Sequence, residues 1–176
     1  MKGLEALSKH LSSRIKQSDP EGPVSLEVLE YELGIRLNFL STVLLTVLAG
    51  WITGNLREAS LAMLSFLMVR RFSGGVHMKS LTLCAIVSAA IFVSISLISL
   101  EHDQVRLLTL LSAAIFLIYS PNILEELNPS PLTPYMKAIS FMLVLTNLLF
   151  LSSAIALACA VQAFLILPFW KGGESE

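Results

Sequence analysis

Charge is scarce in this sequence. The 176 residues hold 12 Lys or Arg and 13 Asp or Glu, 14% in all. A soluble domain carries about 25%. Hydrophobic residues reach 55%, which argues against an ordinary soluble globule and against disorder. Cysteine is scarce too. Cys84 and Cys159 both sit inside apolar runs, so a secreted disulfide scaffold is excluded. Excess charge of either sign is also lacking. A net charge of −1 offers no footprint for nucleic acid. No internal repeat and no low-complexity tract is present.

What charge there is lies in clusters. Segments 37–56, 59–69, 81–100, 107–124 and 138–170 hold none of it. A bilayer core needs about 20 apolar helical residues. Segments 37–56 and 81–100 meet that length. Segment 138–170 is too long for one span and reads as two short spans, with a turn near Ser152-Ser153. Segment 107–124 is expected to end as a helix near Tyr119, since Pro121 disfavours helix at Ser120. Segment 59–69 covers only about half a bilayer. It has to borrow flanking residues, tilt little or lie buried among other helices. The expected fold is an all-α, polytopic bundle of about six transmembrane or membrane-embedded helices.

Basic residues orient such a bundle. With six spans and an inner N-terminus, Lys2, Lys9, Arg14, Lys16, Arg36, Arg70, Arg71, Lys79, Lys137 and Lys171 fall inside. Only Arg57 and Arg106 fall outside. Residues 1–36 carry 11 charges and no apolar run of the signal-peptide kind. Leu4, Leu7, Leu11 and Ile15 recur at helical spacing. They predict an amphipathic helix on the inner membrane surface, either packed on the bundle or docking a substrate. Asp19-Pro20-Glu21-Gly22-Pro23 breaks it. Ser25 is placed to cap a second helix running toward the first span. The division expected is 1–36 as cytosolic amphipathic helices, 37–170 as the membrane bundle and 171–176 as a short cytosolic tail.

The residues with chemistry in them are concentrated at 70–84. Arg70-Arg71-Phe72-Ser73-Gly74-Gly75-Val76-His77-Met78-Lys79 links a short helix to a full-length one, and Cys84 follows. Gly74 and Gly75 permit a sharp turn with φ > 0. His77 is the natural base at neutral pH. Cys84 is the nearby nucleophile whose anion forms most easily. On one regular helix the two would be about 10.5 Å apart, too far for the roughly 3 Å contact a nucleophile–base pair needs. A working pair therefore requires His77 off the helix, carried back by the glycine turn. The plainer alternatives are a solvated loop histidine and a small core cysteine. Arg70 and Arg71 serve equally as positive-inside markers, lipid-phosphate contacts or partners of an anion. Ser73 and Ser80 qualify as a third catalytic member by proximity alone. Glu101-His102-Asp103 are consecutive on a short outer loop and are not read as a metal site. No cofactor is implied.

The pattern Arg70-Arg71…Gly75-x-His77…Cys84 resembles the active-site signature of the accessory gene regulator B (AgrB) family, the membrane cysteine endopeptidases of bacterial quorum sensing. Leu33-Gly34, Asn128-Pro129 and Gln162…Leu167-Pro168 extend the resemblance over most of the chain. It implies an AgrD-like propeptide as substrate, with an amphipathic leader, a pheromone segment and an acidic tail. It also implies Cys84 as nucleophile, His77 as base, and supporting roles for Arg70 and Gly75. Lys79, Arg71 and Gly74 join them as candidate substrate-side residues. Through a Cys84 thioester the pheromone segment would be cyclised to a thiolactone or lactone. The implied location is the bacterial cytoplasmic membrane, with the N-terminus and site loop facing the cytosol. Glu125 and Glu126 depart from the strongly basic loop of some relatives. A homodimer is compatible with the small residues Gly50, Gly54, Ala85, Ala89 and Ala90. From another class comes a small peptide or lipid exporter, with Asn147 and Gln162 lining a path. A purely structural membrane subunit comes third.

Overall fold

A computed structural model describes residues 3–75, 78, 80–122 and 132–169. His77 and Lys79, Glu125-Glu126, Asn128-Pro129 and the 171–176 tail lie outside the described residues. Within them the chain is all helical: α1 (Leu4–Ser18), α2 (Leu26–Ile52), α3 (Leu56–Ser73), α4 (Leu81–Ser96) and α5 (His102–Tyr119), then a 3-10 turn (Thr133–Tyr135) leading into α6 (Met136–Leu145), α7 (Asn147–Phe150) and α8 (Ser153–Leu165).

Most helix ends fall where local chemistry puts them. The Ser25 hydroxyl accepts the Val28 N–H, and α2 runs unbroken from there past residue 36. α5 stops at Tyr119, before Ser120-Pro121. Gln104 accepts the Glu101 N–H at 3.0 Å and Asp103 pairs with Arg106 at 2.9 Å. The Glu101-His102-Asp103 group thus begins a helix. The long uncharged segment divides at Leu151, whose φ of 48° ends α7. Ser152 then caps α8.

α3 is the central helix and packs against α2, α4, α6 and α8. It buries Ala59, Ala62, Met63, Phe66, Val69 and Ser73, one face at three- to four-residue spacing. The charge-free stretch 59–69 therefore solves its shortness in two ways. It takes in Arg57, Glu58, Arg70 and Arg71 to reach 18 residues, and it is surrounded. Phe66 meets the ring of Phe92 edge-on at 5.2 Å between centroids.

α2 places its small and large residues on opposite sides. Its buried positions are small: Gly34, Thr42, Thr46 and Gly50. Its large residues point outward, among them Leu40, Leu44, Trp51 and Ile52. At Gly50 a Cβ would come within 3.1 Å of Ala59, so glycine lets α2 and α3 approach closely. Only 17% of its apolar window is buried, which is the reverse of a soluble core helix. Small residues inward and large apolar ones outward are consistent with a membrane protein. Leu26–Ile52 and Thr133–Phe150 are long and apolar enough to cross a membrane. The helix α4, 16 residues long, is shorter than the full span expected of its segment, while α8, 13 residues long, is short as expected of half of 138–170.

One sequence expectation changes. Gly50, Ala85 and Ala89 are buried within this one chain, so they no longer argue for a dimer. α1 rests on α2 through Ser8 and Ser12, both buried, with the Ser8 hydroxyl donating to the Glu30 carbonyl. Leu7, Leu11 and Ile15 are left exposed. α1 is thus packed on the bundle by its serine side, as one of its two expected roles has it, and its apolar stripe stays on the outer side.

Candidate functional site

Cys84 lies in the first turn of α4, its N–H bonded to the Ser80 carbonyl at 2.9 Å. That turn is anchored from three directions. The Ser80 hydroxyl caps it by accepting the Leu83 N–H. The Asn38 amide of α2 donates to the Leu81 carbonyl at 2.7 Å. The Glu5 carboxylate of α1 accepts the Ser80 hydroxyl at 2.7 Å and the Thr82 hydroxyl at 2.9 Å. A carboxylate at a helix N-terminus also meets the positive end of the dipole. Hydrogen bonds from its backbone surroundings, then from Ser80 and Thr82, hold the Glu5 carboxyl down at about 2. Ser80 is thus a cap.

Cys84 and Arg70 line one cavity of about 250 Å3, bounded by α2, α3, α4 and α8. Its walls are mostly apolar, with Phe39 on one side and Phe66 and Phe92 on another. The Arg70 guanidinium lies over the Phe66 ring at 5.6 Å from its centroid. It also donates to Gln162 Oε1 at 3.2 Å. The guanidinium is thus held in place by an aromatic face and an amide oxygen at the edge of the cavity. Arg71, the next residue, is exposed, so the two arginines separate: one faces the thiol and one faces out.

The turn after α3 is locked into the bundle. Gly74 and Gly75 take φ of 69° and 119°. Gln162 donates through Nε2 to the Ser73 hydroxyl at 2.8 Å and to the Gly74 carbonyl at 2.6 Å. Asn122 straps the same turn by its backbone. Its N–H donates to the Ser73 carbonyl at 2.8 Å, and its carbonyl accepts the Gly75 N–H at 3.0 Å. Its side-chain amide donates to the Ile166 carbonyl at 2.9 Å. Ser73 is wholly buried in this network. It builds the turn and does not face the cavity that Cys84 lines.

Three contributors escaped the sequence reading: Glu5, Asn122 and the anchoring role of Gln162. For Gln162 the signal was an uncharged polar residue in a long apolar run, which must find partners when buried. It was read as lining a transport path, together with Asn147. Both are fully buried. Asn147 donates to Thr109 at 3.0 Å and accepts the Ser152 N–H at 3.1 Å. Each amide holds a turn, so the exporter reading loses its lining residues.

Comparison with known proteins agrees with the motif. The family model for Accessory gene regulator B matches residues 5–167. A protein of Halalkalibacterium halodurans named "Putative AgrB-like protein" is 29% identical over 105 residues, covering 60% of this chain. The match spans about half of that relative's length, 53%. No solved structure matches. With nearly its whole length matched by the family model, the chain belongs to the Accessory gene regulator B family.

Proposed function

We propose that this protein is a membrane-embedded cysteine endopeptidase that matures an AgrD-like propeptide. One observation carries the reading. The cysteine of the family signature opens onto an apolar cavity that it shares with a buried-side arginine. Dry walls favour a thioester, because they keep water from it.

In the first step the Cys84 thiolate attacks the carbonyl before the acidic tail. A C–S bond forms, the C–N bond breaks, and His77 passes the thiol proton to the departing amine. Arg70 attracts the substrate's carboxylates or the thiolate. In the second step a thiol or hydroxyl within the bound peptide attacks the thioester. The new ester bond closes the ring, the Cys84 C–S bond breaks, and His77 returns the attacker's proton to Cys84. Glu5, Asn38 and Ser80 keep the nucleophile's turn fixed, while Gln162 and Asn122 fix the turn that leads to His77. In this reading the bundle crosses the cytoplasmic membrane several times, about six, with α1 and the 70–84 region on the cytosolic side.

The test is release of the tail by purified protein in detergent, without a gradient. Cys84→Ala and His77→Ala are each expected to abolish it. Normal release by either variant would sink the proposal. Cys-independent peptide movement into liposomes would favour an exporter instead.

A further inference from the structure

The cavity beside Cys84 has walls that choose among substrates. Cys84, Ser88 and Ile91 recur at three- to four-residue spacing and form one stripe of α4. Phe39 and Thr42 face the cavity from α2, and Phe66 from α3. Among the described lining residues Arg70 is the one charged group. A cavity of about 150 Å3 is enough for a benzene-sized guest. This one, at about 250 Å3, has room for one large apolar side chain or two smaller ones.

A thioester ties its acyl group directly to the sulfur. The residue that supplies the carbonyl must then place its side chain in the space next to Cys84. We infer that this cavity is an acyl-side specificity pocket, which takes uncharged, bulky apolar side chains immediately before the scissile bond. The inference rests on the endopeptidase reading above and deepens it. Two features commit the occupant. The apolar walls gain from contact with each added methylene, and a hydrophobic pocket discriminates about 10- to 200-fold per methylene-sized difference. Arg70 repels a cationic side chain, which would also lose its water on entering. Ser88, one turn beyond the nucleophile, sets the depth available.

The experiment uses the full-length protein in detergent and a set of propeptides that differ only in the residue before the cleavage site: Phe, Leu, Ala or Lys. Wild type is expected to release the tail from the Phe and Leu peptides at least tenfold faster than from the Ala peptide, and not measurably from the Lys peptide. Ser88→Phe fills the pocket and is expected to reverse the order of Phe and Ala. Should that variant fail to fold, Val87→Ala enlarges the same wall and is expected to raise the Phe-to-Leu ratio at least threefold. Cys84-dependent release that ranks all four peptides alike overturns the pocket and leaves the cavity to a lipid chain. So does a Ser88→Phe variant that slows every peptide equally. Undiminished release by Cys84→Ala overturns the endopeptidase reading and the pocket with it.

Discussion

Two buried amides, Gln162 and Asn147, stand at two turns of this bundle. They look alike in sequence, each a lone polar residue in an apolar run. Both are fully buried and both hold a turn by hydrogen bonds. Asn147 ties the α7–α8 turn to Thr109 of α5, and its described partners are all uncharged. Gln162 ties the turn after α3 and also receives Arg70, which shares a cavity with Cys84. A polar residue among apolar helices is thus first of all a staple. It becomes part of a site when its partners include a charge that faces a cavity.

The sharpest way to test that difference is to remove each amide. Gln162→Leu is expected to lower tail release at least tenfold per folded molecule, because Arg70 and the 73–75 turn lose their common partner. Gln162→Asn should lie between. Asn147→Leu is expected to cost about 1–3 kcal/mol of stability, with the release rate per folded molecule within twofold of wild type. Thermal unfolding in detergent, measured beside the cleavage assay, separates the two effects. Equal loss of activity in both variants would erase the distinction.

The turns themselves offer the next comparison. Gly75 has φ 119°, and a Cβ there would meet Gln162 Nε2 at 3.2 Å. Gly75→Ala should therefore destabilise by about 1–3 kcal/mol and depress cleavage as well. At the other turn Leu151 occupies φ 48°, where a non-glycine residue costs about 1–2 kcal/mol. Leu151→Gly relieves that strain and is expected to leave stability unchanged or raise it by up to about 1 kcal/mol. A large loss from Leu151→Gly would show that this side chain holds its turn by packing.

The smallest effect concerns pH. The Glu5 carboxyl sits at about 2 in the folded protein, below its ordinary 4.5. A depressed folded value favours the native state above about pH 4.5, and the benefit fades as pH falls toward 2. Glu5→Gln is expected to flatten the acid limb of the stability curve in that window and to lower the neutral plateau, where the carboxylate's contribution is fully present, so that the two curves converge at low pH. Parallel curves for the two proteins would show that the Glu5 bonds to Ser80 and Thr82 do not bias folding.

Much of the scaffold was legible from residue order. Charge-free runs outlined the helices, Ser25 marked a cap, Ser152-Ser153 marked a turn, and Pro121 marked the end of α5. Local signals succeed there because capping and proline restriction act over one helical turn. The expectation failed where residues distant in sequence had to be compared. About six transmembrane or membrane-embedded helices were expected, with 81–100 long enough for a full span, yet α4 is only 16 residues long. Arg70 and Arg71 were read together, but one helical step sends them to different surroundings. Of the small residues compatible with a dimer, Gly50, Ala85 and Ala89 pack inside the chain, whereas Gly54 and Ala90 are exposed.

The sequence by itself determined that this chain is a helical, strongly apolar member of its family, because low charge and regular apolar spacing are properties of composition and period. The motif from Arg70 to Cys84 was likewise readable, since its residues lie within 15 positions. Only the tertiary structure decided which groups support it. Glu5 reaches Ser80 across 75 positions and Arg70 reaches Gln162 across 92. Such contacts depend on how helices pack, and packing is a property of faces and crossing geometry that no short window of sequence contains.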